Sequence, residues 1–245
     1  MKLRIAIVGL LATLGALGSA AAADLPAVPM YSKAPPPPPI YNWTDWYVGL
    51  NVGGSWGHRD TTLDGFGTNS LSLDGVIGGG QIGYNWQGLG SPWVFGLEAD
   101  FQGSGQKADN TFAIAGVPAT SIPYEDKLDW FGTVRGRIGY AIGDQGRWLP
   151  YITGGLAYGE TKFSGSGTVG GLVATPVAFS QSSTNVGWTV GAGIEWAFWD
   201  KWSAKIEYLY MDLGNGPTIA LTPTSAITTG RMTDNIARAG VNFHF

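Results

Sequence analysis

The residue types that most often carry catalysis are scarce in this chain of 245 residues. It has two histidines, His58 and His244, and no cysteine. His58 follows the first strand-like segment and His244 stands beside the last residue, so an up-and-down strand order puts them at opposite rims, where they cannot share one site. Asp60 and Asp64 near His58 carry carboxylates of the kind that bind cations, but solvated loop acids are far commoner. Because no Ser/His/Asp arrangement and no metal-ligand spacing occurs, we predict no catalytic residue, no metal and no cofactor.

The other side chains that could take part in chemistry are charged. They lie in several segments of alternating apolar and polar residues, and within each segment they occupy positions of the same parity. Alternate residues of a strand point to opposite faces, so these charges are expected together on one face. Acids and bases are equal in number, which predicts a neutralised network that fills the lumen of a narrow barrel. The predicted charge network consists of Glu98, Asp100, Arg135, Arg137, Glu195, Lys205, Glu207 and Arg238.

The elements that must position these charges are eight alternating segments, each about as long as a tilted transmembrane strand. Long and short connections alternate between them, so all the long ones fall on one rim. The pattern predicts an all-β fold at residues 46–245, an eight-stranded antiparallel up-and-down β-barrel with four long loops. The segments cover about residues 46–56, 73–86, 93–102, 128–142, 148–160, 185–198, 202–211 and 234–245, with long loops at 57–72, 103–127, 161–184 and 212–233.

Aromatic residues decide which face of this barrel points outward. A soluble barrel around a ligand puts its apolar set inside, whereas a membrane barrel has aromatic girdles at both edges of an outward aliphatic band. The girdle at the short turns contains Trp46, Trp86, Trp93, Trp148, Trp196 and Trp202, and the girdle at the long loops contains Trp56, Phe101, Trp130, Tyr158, Trp188 and Tyr210. The pattern favours a transmembrane barrel with periplasmic turns and extracellular loops. Ile77, Phe131 and Leu209 are exceptions, because they fall on the inward parity.

The first 45 residues differ in kind from the rest. Residues 1–23 combine a charged start, an apolar run and a string of alanines, which predicts a signal peptide cut after Ala22 or Ala23. No run of about 18 apolar residues follows it, which excludes spanning helices. Residues 24–45 contain the run Pro35 to Pro39 and predict an extended, Pro-rich periplasmic leader. This leader either contacts a periplasmic partner such as peptidoglycan or is simply solvated.

Several stretches of the chain resemble one family. They are Tyr47-Val-Gly-Leu-Asn-Val-Gly-Gly-Ser-Trp56, Arg137-Ile-Gly-Tyr140 and Lys205-Ile-Glu-Tyr-Leu-Tyr210. With the signal peptide and leader, they are similar to the small outer-membrane β-barrel, porin-family proteins of alpha-proteobacteria, including the major surface antigens of brucellae and rhizobia, and more distantly to the barrels of OmpA and OmpX. The last strand, with Gly240, Phe243 and Phe245, resembles the C-terminal assembly signal of such barrels. The resemblance implies an outer-membrane location, exposed loops, contact with outer-membrane lipid and lipopolysaccharide, and recognition by the barrel-assembly machinery.

Two classes of function stay open at this point. One is a structural, surface-exposed role in envelope integrity and in contact with the host or environment; the other is a narrow porin-like channel or a haemin-binding transport protein. An outer-membrane deacylase needs a Ser and a His close together on an outward strand face, and we find no such pair. A net charge of −4 and a pI near 5.0 argue against nucleic-acid binding, which needs a basic patch. The balanced charges favour the structural role.

Overall fold

The computed structural model describes residues 40–63, 67–113, 121–169, 175–222 and 225–245. It divides the chain into Met1–Pro37 and Pro38–Phe245. The predicted signal peptide, most of the predicted leader and Asp64 lie outside the described residues. Within the described part, no helix is long and apolar enough to cross a membrane.

The second unit is a closed ring of antiparallel strands. The described strands are β1 (Asp45–Leu63), β2 (Gly67–Gln87), β3 (Trp93–Ala113), β4 (Ser121–Tyr140), β5 (Trp148–Val169), β6 (Thr175–Trp199), β7 (Trp202–Asn215), β8 (Thr218–Thr222) and β9 (Ser225–His244). From β1 to β7 each strand pairs with the next along the chain, β7 and β8 both pair with β9, and β1 pairs with β9 to close the ring. Asn215 pairs with Arg231 and Thr218 with Thr228, so β8 continues β7 in the same register along β9. The predicted eight-stranded up-and-down barrel is confirmed.

The strands are much longer than predicted, and the predicted boundaries of the long loops are wrong. The fifth segment was expected to end near Glu160, but β5 continues to Val169 and pairs with β6 along its whole length. The reason is that the alternation persists: inward Phe163, for example, is buried between exposed Lys162 and partly exposed Ser164. Gly, Ser and Thr residues suggested loops here, yet Thr and small side chains fit the outward face of a pleated strand.

The interior is filled in three layers. Next to the short turns, an apolar layer, called the lower seal, contains Trp43, Val94, Leu149 and Ala197. Above it lies a polar layer with the predicted charged residues. At the long-loop end lies a second apolar layer, the upper core, made of Leu71, Leu73, Ile77, Ile122, Tyr124, Leu128, Phe131, Ala157, Phe163, Leu209, Met211, Leu213, Ile227, Met232 and Ile236.

The upper core explains the three exceptions to the parity rule. Ile77, Phe131 and Leu209 point inward as their parity requires, and all three are buried in this layer. They are therefore the lower edge of a second core rather than breaks in the alternation.

The outer surface is apolar between the two aromatic girdles. Leu50 is 75% exposed and Ile152 is 64% exposed, values that a soluble protein rarely tolerates over a whole face. All six tryptophans of the predicted short-turn girdle are exposed on this side. Such a surface needs hydrocarbon around it.

We expect the closed ring to resist detergent, because pairing of β1 with β9 leaves the membrane-height strands without a free edge. Unheated protein in dodecyl sulfate should therefore migrate at a lower apparent mass than boiled protein. Equal migration of the two samples would contradict a closed barrel.

Candidate functional site in the barrel lumen

The candidate site is the polar layer of the lumen. Its eight predicted charged residues come from β3, β4, β6, β7 and β9, and all point inward because they share one parity of their strands. None is more than 5% exposed. Buried charges of this kind need partners, since an isolated ion in a poorly hydrated interior costs several kcal/mol, in order of magnitude.

Neighbouring strands supply the first set of partners. The strand register places Glu98 directly opposite Arg135. It likewise sets Glu195 opposite Lys205 and Glu207 opposite Arg238. Oppositely charged residues at paired positions stabilise a sheet. The sequence predicted these charges on one face, and the register shows which of them are direct neighbours.

Contacts across the lumen supply the second set. Arg135 on β4 donates to Glu207 on β7 at 3.0 Å, and Arg137 donates to Glu195 on β6 at 2.6 Å. From the other side, Lys205 donates to Glu98 on β3 at 2.7 Å. Arg238 donates to Asp100 at 2.9 Å. The charges therefore form one network that ties opposite walls together.

Two buried tyrosines, which the sequence analysis missed, complete this network. The Tyr47 hydroxyl donates to Glu98 at 2.7 Å and the Tyr151 hydroxyl donates to Glu207 at 3.0 Å. The guanidinium of Arg137 lies 4.2 Å from the centre of the Tyr151 ring. Tyr151 fits because Gly193 has no side chain: a Cβ atom there would lie 2.6 Å from the Tyr151 hydroxyl. Their parity in the sequence could have identified them, because both tyrosines fall on the same strand face as the charged residues.

A serine and a histidine meet in the lumen, a contact that the sequence did not predict. Ser203 Oγ lies 3.0 Å from His244 Nε2 and donates to Glu195 Oε1 at 2.5 Å. Asn242 also donates to that oxygen, at 2.7 Å. Ser203 and His244 lie on β7 and β9, which pair with each other, so register alone could have revealed their proximity. The pair points inward, not toward the outward face that a deacylase uses.

The lower seal corrects the predicted end of the leader. Residues up to 45 were expected in an extended leader, but Trp43 is completely buried inside the short-turn rim. Its indole nitrogen donates to the Gly146 carbonyl at 2.8 Å, and its backbone nitrogen donates to Gln87 Oε1 at 2.9 Å. The Tyr41 ring packs on the Trp43 ring, and burial raises the pKa of Tyr41 to about 12, so its hydroxyl stays neutral.

An ion pair crosses the upper core. Arg59 on β1 donates two hydrogen bonds to Asp126 on β4, at 2.9 and 2.8 Å, and both side chains are fully buried. The strands β2 and β3 separate these residues around the ring, so the pair spans the interior. Burial raises the pKa of the Asp126 carboxyl and Arg59 opposes this rise. The ion pair with Arg59 therefore offsets part of the cost of burying the Asp126 carboxylate. The sequence did not reveal this pair, because both residues fall in stretches that were predicted to be loops.

The other predicted residues lie away from the lumen. His58 and Asp60 are exposed at the long-loop end, where Asp60 accepts a hydrogen bond from Ser70 at 2.5 Å. Phe243 and Phe245 pack on each other at the opposite rim, and the Phe245 nitrogen donates to the Trp46 carbonyl at 3.1 Å. Gly240 lies against the β1 backbone. Within the described residues, no group of three or more His, Cys, Asp or Glu side chains could hold a metal ion.

Comparisons with known proteins place this architecture among bacterial envelope proteins. Residues 9–245 match the family model described as "Outer membrane protein beta-barrel domain". The 31 kDa outer-membrane immunogenic protein of Brucella melitensis is 34% identical, over 96% of this chain and 98% of that protein. The 22 kDa outer membrane protein of Rhizobium leguminosarum is 32% identical over 86% of each chain. Among solved structures, OprG from Pseudomonas aeruginosa aligns with a TM-score of 0.50 at 12% identity, over 84% of this chain and 99% of that one, which shows a similar fold.

We expect Arg135→Met to lower the free energy of unfolding by about 3 to 5 kcal/mol, because it leaves buried carboxylates with one cation too few. Adding Glu98→Gln should recover part of this loss, so the double variant should be more stable than the sum of the single effects predicts. Urea unfolding in lipid vesicles, followed by tryptophan fluorescence, measures both. Arg147→Met is the matched control, since Arg147 pairs with the exposed Asp200. Additive effects, or a loss no larger than that of the control, would contradict the network.

Proposed function

Because the chain belongs to the outer membrane protein β-barrel domain family, we propose that it is a structural outer-membrane protein with a closed lumen, which presents its strand extensions at the cell surface. Its outer-membrane location and its likeness to the surface antigens of brucellae and rhizobia agree with the resemblance seen in the sequence.

The observation that carries the closed lumen is the network between opposite walls. An eight-stranded barrel is just wide enough for side chains to fill its interior. Each of the four bases donates to a carboxylate on a strand that is not its neighbour, so the positive and negative charges cancel; the bases are Arg135, Arg137, Lys205 and Arg238. The lower seal and the upper core add apolar layers on either side. An ion would have to displace all three layers.

The strand extensions support a surface role. Val169 lies eleven residues beyond Tyr158 of the long-loop girdle, which is about 35 Å along a strand at roughly 3.3 Å per residue. The extensions have their own apolar interior, the upper core, and an outward face with Ser, Thr and charged side chains. They therefore form a rigid platform that stands above the lipid headgroups. The relatives that carry the name immunogenic proteins are consistent with such exposure.

A catalytic role receives no support from the Ser203–His244 pair, and we propose that the protein is not an enzyme. The Ser203 hydroxyl donates to Glu195, so its proton is not directed to His244 as a nucleophilic serine requires. The cluster is also fully buried and sealed from the periplasmic side by Trp43. We assign the cluster to the lumen network.

Purified wild-type protein is expected to show no steady single-channel steps in a planar bilayer. Arg135→Ala should produce an intermittent leak, because it removes the side chain that joins Glu98, Asp100 and Glu207. Val134→Ala on the outward face of the same strand is the control and should stay silent. A steady wild-type conductance, with Arg135→Ala changing only ion selectivity, would replace this proposal with the channel function.

A further inference from the structure

The ring of strands is open on one side above the membrane. β6 pairs with β5 from Trp196 up to Thr175. Its pairing with β7, however, runs only from Trp199 to Trp188, and Trp188 belongs to the long-loop girdle. Residues 175–187 of β6 thus have a paired edge toward β5, and their other edge has no strand partner within the described part of the chain.

The cause of this opening lies in β7. The pairing of β7 with β9 shifts by one residue between Asp212 and Gly214, which is a β-bulge at Leu213. Gly214 has a φ of 69°, in the left-handed region that favours glycine. Asp212 holds the bulge, since it accepts a hydrogen bond from the Gly214 nitrogen at 2.9 Å and forms an ion pair with Arg231. The pairing of β7 with β6 ends at Asp212, directly before the bulge, whereas β7 and its continuation β8 stay paired with β9.

The free edge of β6 carries regularly spaced backbone groups. On β6 the carbonyl of Thr189 points to β5, 3.4 Å from the position that a Cβ atom on Gly154 would occupy, whereas the carbonyl of Val186 points to Gly214 of β7. Even-numbered residues therefore direct their N–H and C=O groups to the free edge. Pro176 has only the carbonyl and the Val186 carbonyl faces Gly214, so both groups are free on Ala178, Ser180, Ser182 and Thr184. Their donors and acceptors repeat every two residues, about 6.6 Å apart.

This edge lacks the features that normally prevent strand addition. Natural edge strands are protected by charged side chains, bulges or short length. Residues 175–187 contain no charged residue, and their pairing with β5 has no bulge. Pro176, near the upper tip, is the one residue in this stretch without an N–H group. An edge of this length is a template for another strand.

The side chains along the opening show what kind of strand fits. Val177 and Phe179 point inward and pack against the upper core, but they are only partly buried. Ile219, on the β8 side of the opening, is also partly buried against this core. An added strand would cover them with apolar side chains at alternate positions and would place uncharged polar side chains beside Ser180 and Ser182. A lipid or sugar offers no such repeat of donors and acceptors.

We propose that the free edge of β6, from Ala178 to Thr184, is a docking site for an extended segment of a partner polypeptide, which adds to the sheet as a strand beside β6. This proposal rests on the proposed function, because a partner reaches the edge only if the strand extensions lie outside the cell. The partner segment is uncharged and alternates apolar and polar residues.

Amide hydrogen exchange of the purified full-length chain in detergent, resolved by residue, tests the edge without any variant. Amides of Ala178, Ser180, Ser182 and Thr184 should exchange fast, and those of Phe179, Gln181 and Ser183 should exchange slowly, because only the latter donate to β5. The probe is a nine-residue peptide of alternating Thr and Val. At ten times its dissociation constant it should slow exchange of the fast set by about tenfold.

Two controls separate backbone pairing from other binding. The same peptide N-methylated at every residue keeps its side chains but donates no hydrogen bond, and it should leave exchange unchanged. Ser182→Pro removes one donor at the free edge and should weaken binding of the probe at least about tenfold, whereas Ser182→Ala keeps the donor and should bind like the wild type. Gel migration before and after boiling shows that each variant is folded.

Three results would overturn the proposal. Even-numbered amides as slow as odd-numbered ones in the free protein would mean that the edge is already covered. Slowing that grows with protein concentration and without peptide would identify a second copy as the occupant. Equal binding of the N-methylated peptide would show that side chains or detergent, not strand pairing, hold it.

Failure of the surface role is measured separately. Since the chain has no cysteine, Ser180→Cys can be labelled on intact cells with a membrane-impermeant maleimide. Absence of labelling would refute the outward orientation of the strand extensions. The exchange results on purified protein would still decide whether the edge accepts a strand.

Discussion

The need to neutralise buried charge in a narrow interior is the constraint on which this structure depends. Arg135 contacts Glu98 and Asp100 on one side and Glu207 across the lumen, at 2.5 to 3.0 Å. These distances hold only if β4 and β7 keep their separation and their stagger. A change in the number of strands or in the register would leave at least one ion without a partner, at a cost of about 3 to 5 kcal/mol. The network therefore specifies the barrel as well as filling it.

The two apolar layers follow from the same constraint. Charges in a confined space are most strongly coupled when water is excluded, and the lower seal and the upper core exclude it from opposite ends. In the lower seal Trp43 excludes water, although it precedes the first strand. Its hydrogen bonds to Gly146 and Gln87 hold it inside the rim. The upper core gives the strand extensions their rigidity, because it packs side chains from β2, β4, β5, β7 and β9 together. A rigid extension with one open side is what makes a free edge on β6 possible.

The fold was predictable from the sequence because the two-residue alternation of apolar and polar side chains determines most of it. That alternation identified the eight segments and the parity of Glu98, Arg135 and their partners, and the tryptophans at segment ends identified the lipid-facing side. The contacts across the lumen were not predictable, since they depend on the stagger between strands that are not neighbours. Trp43 and Arg59 were missed for another reason. Both lie where proline, glycine and polar residues dominate locally, and local composition does not show that a long-range contact will bury a side chain.

Accessibility of the lumen to a small ionic reagent distinguishes a closed, neutralised interior from a hydrated one. Ser55 lies on β1, is buried, and its hydroxyl has no hydrogen-bond partner among the described residues, so Ser55→Cys changes little else. Since the chain has no other cysteine, a charged methanethiosulfonate added to the folded variant in lipid vesicles reports on this one position. We predict no modification of the folded barrel, full modification after unfolding in urea, and rapid modification of a Leu89→Cys control in an exposed turn. Modification of Ser55→Cys in the folded state as fast as that of the control would show an open, hydrated lumen and would contradict a closed one.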